Sequence, residues 1–199
     1  IKKLQDLTAT KILTQEDWYT FKDKFTTVYP RFFKVLKTKG YATGIFGKWH
    51  LGTLTKTVLD ANRGGKPQFE KDYSIPSQHG YDEYFCTESK VPTHDPMIKP
   101  VNFKEGESLR YGWKAVEKGE EREAYGTAYW NNENKSETQN LEGNDARVIM
   151  DRVVPFIEDA HQSKKPFFST VWFHTPHLPV VSDKVHRRAT FGVEDGDQQ

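Results

Sequence analysis

Cysteine is nearly absent from the sequence, which contains a single thiol, Cys86, among its 199 residues. One thiol excludes a disulfide within the chain and any Cys-x-x-Cys metal or redox pair. The chain also lacks an apolar run of the about 18 residues that a membrane-spanning helix requires. We therefore predict no disulfide framework and no insertion into a membrane.

An excess of charge of one sign is lacking as well. The 29 basic and 28 acidic residues leave a net charge of +1, and the basic residues are scattered rather than run together. Without a global positive field, nucleic-acid binding is not expected, and any anion site has to be local. Hydrophobic residues form only 35% of the chain, with 14% aromatic, which is typical of a chain with long surface loops.

Helix and strand patterns are nevertheless present in the first quarter of the chain. The residues "LTQEDWYTFKDKF" (13–25) have a helical apolar face, and "YPRFFKVLKTKG" (29–40) predicts a second helix that Gly40 ends. The residues "YATGIFGK" (41–48) follow at once and predict a short, mostly buried strand. Residues 52–140 are irregular, and a loop of this length indicates a functional region.

The last third of the chain repeats the order helix, strand, polar loop. A long helix begins at Asn144 or Asp145, and Pro155 is expected to kink it. The residues Phe167–Phe173 then predict a strongly buried strand bounded by prolines. This order favours an α/β fold with a largely parallel sheet.

Cationic and imidazole side chains follow both of these strands. Lys48 and His50 end the first strand, and His174 and His177 end the last. In open α/β sheets, ligands bind beyond the carboxyl ends of the strands, so parallel strands would bring these side chains together. A lysine provides a point charge and a histidine a hydrogen-bond donor and proton carrier, which indicates a small-anion site.

Other interpretations of the same residues remain open at this point. A histidine at a strand end is often a hydrogen-bonded structural residue, and glycines such as Gly47 and Gly52 can serve the turn alone. His174 and His177 could ligate zinc, although Pro176 separates them and no carboxylate or thiolate is close in sequence. A nucleotide-binding P-loop is excluded, because the spacing would require Ser or Thr where Trp49 stands.

Three stretches in this order resemble the formylglycine-dependent sulfatases of the alkaline-phosphatase-like superfamily. They are "GYATGIFGKWHLG" (40–52), "HGYDEYF" (79–85) and "KPFFSTVWFHTPHLPVV" (165–181). The resemblance implies an alkaline-phosphatase-like, mostly parallel sheet flanked by helices, which we expect to be incomplete at both ends. It makes residues 31–199 the central portion of a sulfatase-like catalytic domain, whereas residues 1–30 do not match the expected pattern.

The resemblance also implies a role for individual residues. Lys48 corresponds to a lysine that binds the sulfate oxygens, and His50 to a histidine that takes a proton from the hydrated formylglycine. His177 corresponds to a histidine that binds sulfate and protonates the leaving alcohol. His50 and His177 are thus expected to be catalytic, and all three to bind sulfate. His174 has no firm counterpart, and we interpret it as either supporting these residues or facing the substrate.

The sequence departs from the family pattern in its reactive part. The Cys-x-Pro-x-Arg motif that becomes formylglycine does not occur, and Cys86 lacks the required Pro and Arg, so it is expected to be a buried or incidental thiol. The resemblance implies Ca²⁺ as a cofactor, but we identify no metal ligand in this chain. A periplasmic, secreted or lysosomal location is likewise only what the resemblance implies.

These observations lead to a sulfuric-ester hydrolase acting on a sulfated glycan or aryl sulfate, with these 199 residues inactive by themselves. The alternatives are a non-catalytic relative that at most binds sulfated carbohydrate, and a phosphodiesterase or phosphonate hydrolase of the same superfamily. Substrate-binding candidates in the loops are His94, Asp95 and Trp130, in addition to His174, because an indole can stack on a sugar face. Neither nucleic acid nor a membrane is an expected partner.

Overall fold

A mostly parallel sheet organises the protein, for which a computed structural model describes residues 32–104 and 113–183. The strands are β1 (Ala42–Lys48), β2 (Glu83–Thr87), β3 (Trp113–Lys114), β4 (Trp130–Asn131), β5 (Phe167–Trp172) and β6 (Val181–Ser182). Within the described ranges, the main sheet has the order β4-β2-β1-β5, and β3 and β6 form a separate parallel pair. The helix predicted over 13–25 lies outside the described residues.

The pairing of β1 with its two neighbours is parallel, as the sequence predicts. Ala42 pairs with Phe167 of β5, and Gly44 pairs with Glu83 of β2. β2 pairs with β4 in the antiparallel sense. The α/β class and the largely parallel sheet are therefore confirmed.

Two helices cover the sheet. The described part of α1 covers residues 32–38, and it ends at Gly40, whose φ of 76° allows the N–H of Tyr41 to reach the carbonyl of Leu36 at 3.1 Å. The longer helix, α2 (Asp145–Gln162), begins at Asn144, whose side chain accepts hydrogen bonds from the N–H groups of Ala146 and Arg147. It continues through Pro155 to its last turn.

Apolar side chains pack on both faces of the sheet, because successive residues of a strand point to opposite sides. Ile45 belongs to the cluster that includes Phe33 of α1, whereas Phe46 belongs to the cluster that includes Phe156 of α2. The two helices therefore hold β1 between them. One face of α2 is buried, with Ile149, Val153, Phe156 and Ala160 buried and Ile157 half-buried.

Two strand predictions need correction. The strand predicted over Phe167–Phe173 ends at Trp172, and it is not strongly buried: Phe167 is 42% exposed and Trp172 38% exposed. Its exposure follows from its place at the edge of the described sheet, where β1 is its neighbour. The irregular region 52–140 contains β2, a buried central strand that its short length and acidic first residue concealed.

Candidate functional site

Strands β1, β2 and β5 are parallel and end at the same edge of the sheet. The loops that follow them form the candidate site. The register places Lys48 of β1 beside Thr87 of β2, and Gly47 beside Trp172 of β5. The loops after β1, β2 and β5 therefore leave the sheet together, where ligands of α/β sheets bind. We call this surface the strand-end site, and it carries Lys48, His50, Lys90 and His177.

The turn after β1 is fixed by one aromatic side chain and two glycines. Trp49 is buried, and its indole N–H donates to the carbonyl of Ser74 at 2.6 Å. Gly47 has φ of 101°, and a Cβ there would lie 2.0 Å from the carbonyl oxygen of Trp172. At Gly52 a Cβ would lie 2.5 Å from the Cβ of Ser74. Gly47 is therefore required by its left-handed φ and by close packing, and Gly52 by close packing.

This anchoring places the two polar side chains on the accessible side of the turn. Lys48 is half-buried and His50 is exposed, on either side of the buried Trp49. His50 has a left-handed φ of 52°, and its backbone N–H donates to the carbonyl of Glu88 at 3.0 Å. A non-glycine residue in this conformation costs about 1–3 kcal/mol unless its surroundings hold it. The bond to Glu88 is one such restraint.

Glu88 is a buried carboxylate that organises the loop in front of β2. Its Oε1 accepts hydrogen bonds from the backbone N–H groups of Arg63 at 2.8 Å and Gly64 at 3.0 Å and from the side-chain amide of Asn62 at 3.1 Å, and its Oε2 accepts from the N–H of Leu54 at 3.4 Å. Burial raises the pKa of Glu88, and the nearby charge of Asp60 raises it further. Because its oxygens are taken up by these donors, we assign Glu88 a structural function.

The loop after β5 is held by a buried His–Asp pair. His174 Nδ1 lies 2.7 Å from Asp145 Oδ2, and neither side chain is exposed. Tyr129 donates its O–H to the other oxygen of Asp145 at 2.5 Å. Burial raises the pKa of Tyr129, and the negative charge of Asp145 raises it further. His174 Nε2 lies 2.8 Å from Thr87 Oγ1. The imidazole thus links β5, β2 and the first turn of α2.

The hydrogen-bond directions at His174 define where its protons lie. Thr87 donates its own proton to the carbonyl of Ser89 at 2.7 Å, so the Nε2–H of His174 must donate to Thr87. The bond between His174 and Asp145 then contains one further proton. Because both ring nitrogens are occupied, His174 neither faces substrate nor offers a nitrogen to zinc, and its supporting interpretation is the one that the contacts favour.

His177 differs from His174 in being exposed at the tip of the loop. Its backbone N–H donates to the carbonyl of His174 at 2.6 Å, and its Nδ1 lies 2.7 Å from the carbonyl of Leu178. A carbonyl can only accept, so Nδ1 carries a proton. The nitrogen of His177 that can exchange a proton with a ligand is therefore Nε2.

The electrostatics of the strand-end site are those of neighbouring positive charges. Burial lowers the pKa of Lys48, and the charge of Lys90 lowers it further. Partial desolvation lowers the pKa of His50, and the charges of Lys48, Arg63 and His177 lower it further. Within residues 32–104 and 113–183, neither Lys48 nor Lys90 forms a salt bridge. Bound anions would relieve this repulsion.

Lys90 and Arg63 are the site residues that the sequence patterns did not identify. Lys90 follows β2, and the rule that locates Lys48 at the end of β1 would have located it if β2 had been recognised. Arg63 comes from an irregular loop and reaches the site because Glu88 binds its backbone; its guanidinium lies 3.4 Å from Asp72. No local sequence pattern could have identified Arg63 as a site residue.

The remaining substrate-binding candidates lie elsewhere. Trp130 is a residue of β4 and only 5% exposed, so its indole packs in the core and is not a sugar platform. Asp95 is buried and accepts from the N–H of Gly143 at 2.6 Å. His94 Nδ1 lies 3.7 Å from Asp183, and both His94 and Asp95 line a different cleft with Arg122.

Among the described residues, no group of three or more His, Cys, Asp or Glu side chains is arranged to hold a metal ion. Cys86 of β2 is fully buried, with its Sγ 3.5 Å from the carbonyl of Ile45 in the neighbouring strand β1, and burial raises the pKa of its thiol. It is an unreactive core residue, as expected.

The fold and the strand-end site together define an α/β protein with clustered lysine and histidine side chains at the carboxyl edge of its sheet. Comparison with protein families shows that the Sulfatase family model matches residues 8–199. The chain therefore belongs to the sulfatase family.

A curated relative and two solved structures are similar to the chain. N-acetylgalactosamine-6-sulfatase of Rattus norvegicus is 26% identical over 152 residues, which are 76% of this chain and 23% of that protein. Crystal structures of Ps i-CgsB, with k-i-k-neocarrahexaose and without it, have TM-scores of 0.47. Their sequence identities to this chain are 21% and 20%. The matches cover 82% and 83% of this chain and 30% of the chain in each crystal structure.

The chain thus spans under a third of the length of these relatives. In the part of the chain that the structure describes, no helix is both long and apolar enough to cross a membrane.

Proposed function

We propose that this chain provides the sulfate-binding part of a sulfuric-ester hydrolase whose substrate is a sulfated glycan. The observation that supports the proposal most directly is the grouping of Lys48, His50 and His177 at the ends of β1 and β5, with mutual electrostatic repulsion and no carboxylate paired with Lys48 in the described residues. Family membership provides the reaction class. The strand-end site would hold the sulfate ester.

Lys48 is the residue we propose to bind the sulfate oxygens. Lys48 is half-buried and is the last residue of β1, a strand that packs on both faces and so fixes the position of its backbone. A fixed cation of this kind stabilises negative charge that develops on the ester and leaving oxygens without reorganising during the reaction. A lysine suits sulfate because it provides up to three donors from one point charge.

His177 and His50 are the proposed proton carriers. His177 holds its Nδ1 proton on the carbonyl of Leu178, so a proton delivered to the leaving oxygen would come from Nε2. The pKa of His50 is lowered by burial and by neighbouring cations, which favours the neutral imidazole that accepts a proton. Two histidines with different surroundings would thus act as acid and base.

The glycan substrate is inferred from the relatives and from the surroundings of the site. The rat relative is named N-acetylgalactosamine-6-sulfatase. Trp172 and the adjacent Phe173 are exposed aromatic side chains at the end of β5, where a sugar ring could stack. The formylglycine and Ca²⁺ that the family resemblance implies are assigned to no residue of this chain.

The proposal is tested by calorimetric titration of the chain with N-acetylgalactosamine 6-sulfate, with the unsulfated sugar as the ligand control. We expect Lys48→Gln and His177→Ala each to weaken binding of the sulfated sugar by roughly tenfold or more. Lys39→Gln removes the same charge at the opposite edge of the sheet, near Gly40, and should change nothing. Equal binding of the two sugars, or full affinity in Lys48→Gln, would contradict the proposal.

Catalysis is tested separately on the full reading frame that contains these residues. Release of inorganic sulfate from a sulfated sugar is the expected result, and the 199 residues alone are expected to give none. Binding without release in the longer protein would support the non-catalytic alternative. Preferential hydrolysis of a matched phosphate or phosphonate ester would place the protein in the other enzymatic branch of the superfamily.

A further inference from the structure

A second positively charged feature lies beside the strand-end site. It is a cleft of about 520 Å³, and we call it the lysine cleft because Lys66, Lys90 and Lys99 line it. Its volume falls within the roughly 300–1,000 Å³ typical of small-molecule sites. The family roles given above for Lys48, His50 and His177 do not include any of its residues.

Lys90 joins the lysine cleft to the strand-end site. It lies three positions after Thr87, the residue of β2 that pairs with Lys48, and it also lines the cleft. Ser89, at the same cleft, accepts the hydrogen bond of Thr87 and is thereby fixed to the end of β2. A ligand at Lys48 that extended past the end of β2 would therefore enter the lysine cleft.

The three lysines differ in how far their charge is already compensated. Lys99 forms an ion pair with Glu123, and the Lys66 ammonium donates to the carbonyl of Asn62 at 2.7 Å. Lys90 forms neither a salt bridge nor a side-chain hydrogen bond with the described residues, and burial lowers its pKa. Lys90 is thus the donor best able to bind an anion from solution.

The carboxylate of the cleft, Asp60, does not neutralise Lys90. Asp60 is buried, and its oxygens accept hydrogen bonds from the hydroxyl of Thr127 at 2.5 Å and from the N–H of Asn62 at 2.8 Å. Its burial raises the pKa of Asp60. Lys90 forms a salt bridge with neither Asp60 nor Glu123, so the lysine cleft retains an excess of positive charge.

An aromatic wall completes the lysine cleft. Phe103 and Tyr125 both line it, and their ring centroids are 5.7 Å apart at 56°. Aromatic walls with a few convergent polar groups are the usual lining of small-molecule sites. The apolar face of a pyranose ring matches such a wall, while its acidic substituent could reach Lys90.

We propose that the lysine cleft binds a second anionic group, a sulfate ester or a carboxylate, on the sugar residue next to the one whose sulfate lies at Lys48. The inference rests on the proposed function, and it specifies the substrate as an oligosaccharide with negative charges on adjacent residues. Lys90 determines this preference, and Phe103 with Tyr125 supports the second ring. The repulsion between Lys48 and Lys90 is then balanced by two anions instead of one.

The experiment compares two ligands by calorimetric titration at one ionic strength. One is a disaccharide sulfated on both residues, and the other is the same disaccharide sulfated only on the residue that Lys48 would hold. We expect the wild-type chain to bind the doubly sulfated ligand about tenfold more tightly. In Lys90→Gln this ratio should fall close to one, with a much smaller change for the singly sulfated ligand. Lys39→Gln should leave both affinities unchanged.

Each outcome separates this inference from the proposed function. An unchanged ratio in Lys90→Gln, or a wild-type ratio near one, overturns the second subsite and leaves the sulfate site at Lys48 intact. Loss of both affinities in Lys48→Gln with a normal ratio in Lys39→Gln supports the site as described. If the wild-type chain binds neither ligand, both proposals fail. Replacing the second sulfate by a carboxylate shows which anion the cleft prefers, and binding of neither form there also overturns the inference.

Discussion

Removal of the His174 imidazole is expected to destabilise the protein strongly. His174 and Asp145 are both completely buried, and His174→Ala leaves the Asp145 oxygen without its partner at 2.7 Å. Breaking a buried pair by removing one member costs about 3–5 kcal/mol, because the other charge is left uncompensated. A domain of this kind has a free energy of unfolding of about 5–15 kcal/mol, so a large part of its stability should be lost.

The assay is urea unfolding followed by tryptophan fluorescence. His161→Ala is the control, since His161 is an exposed histidine in the last turn of α2, the helix that begins with Asp145. Surface substitutions change the free energy of unfolding by about 0.5 kcal/mol or less. The double variant His174→Ala with Asp145→Asn should recover part of the loss, with a coupling of about 0.5–3 kcal/mol. A loss below about 1 kcal/mol in His174→Ala, compared with that surface range, would refute the assignment of this pair as the support of the loop.

Three further predictions concern individual positions. Gly47→Ala should cost about 1–3 kcal/mol more than Gly119→Ala, because φ is positive at both but a Cβ meets the Trp172 carbonyl only at position 47; equal losses in urea unfolding would argue against the close approach. Since the pKa of His50 is lowered in the folded chain, the unfolded chain takes up this proton first as the pH falls. The free energy of unfolding should therefore decrease from about pH 7 to 5.5, and a dependence identical in His50→Gln would contradict this. Cys86 should react with a thiol reagent at least about a hundredfold more slowly in the native than in the unfolded chain, and rapid reaction of the native chain would show that its burial is wrong.

The parts of the fold that periodic patterns specify could be predicted from the sequence. β1, the end of α1 and the Asn144 cap of α2 each have a local signal, and each is where it was expected. β2 was missed because its few residues lie within a long polar region. The exposure of β5 could not be predicted, because an apolar strand has the same pattern at the centre and at the edge of a sheet.

The candidate site divides in the same way. Lys48 and His177 are located by the strands that they follow, whereas the buried state of His174 depends on Asp145, a partner 29 residues distant. Trp130 was expected to stack on a sugar, yet its pairing with Cys86 of β2 buries it. Contacts between distant segments, rather than local composition, decided these cases.

The parallel pairing of β1 with β5 has a consequence for how the protein folds. Ala42 must find Phe167, and even the hydroxyl contact between Tyr81 and Thr170 spans 89 residues. Contacts of such long range require loop closure before they are rewarded, and they slow folding. During synthesis, Lys48 and His50 are translated before His177, and their surface is assembled only when the segment that contains His177 has left the ribosome.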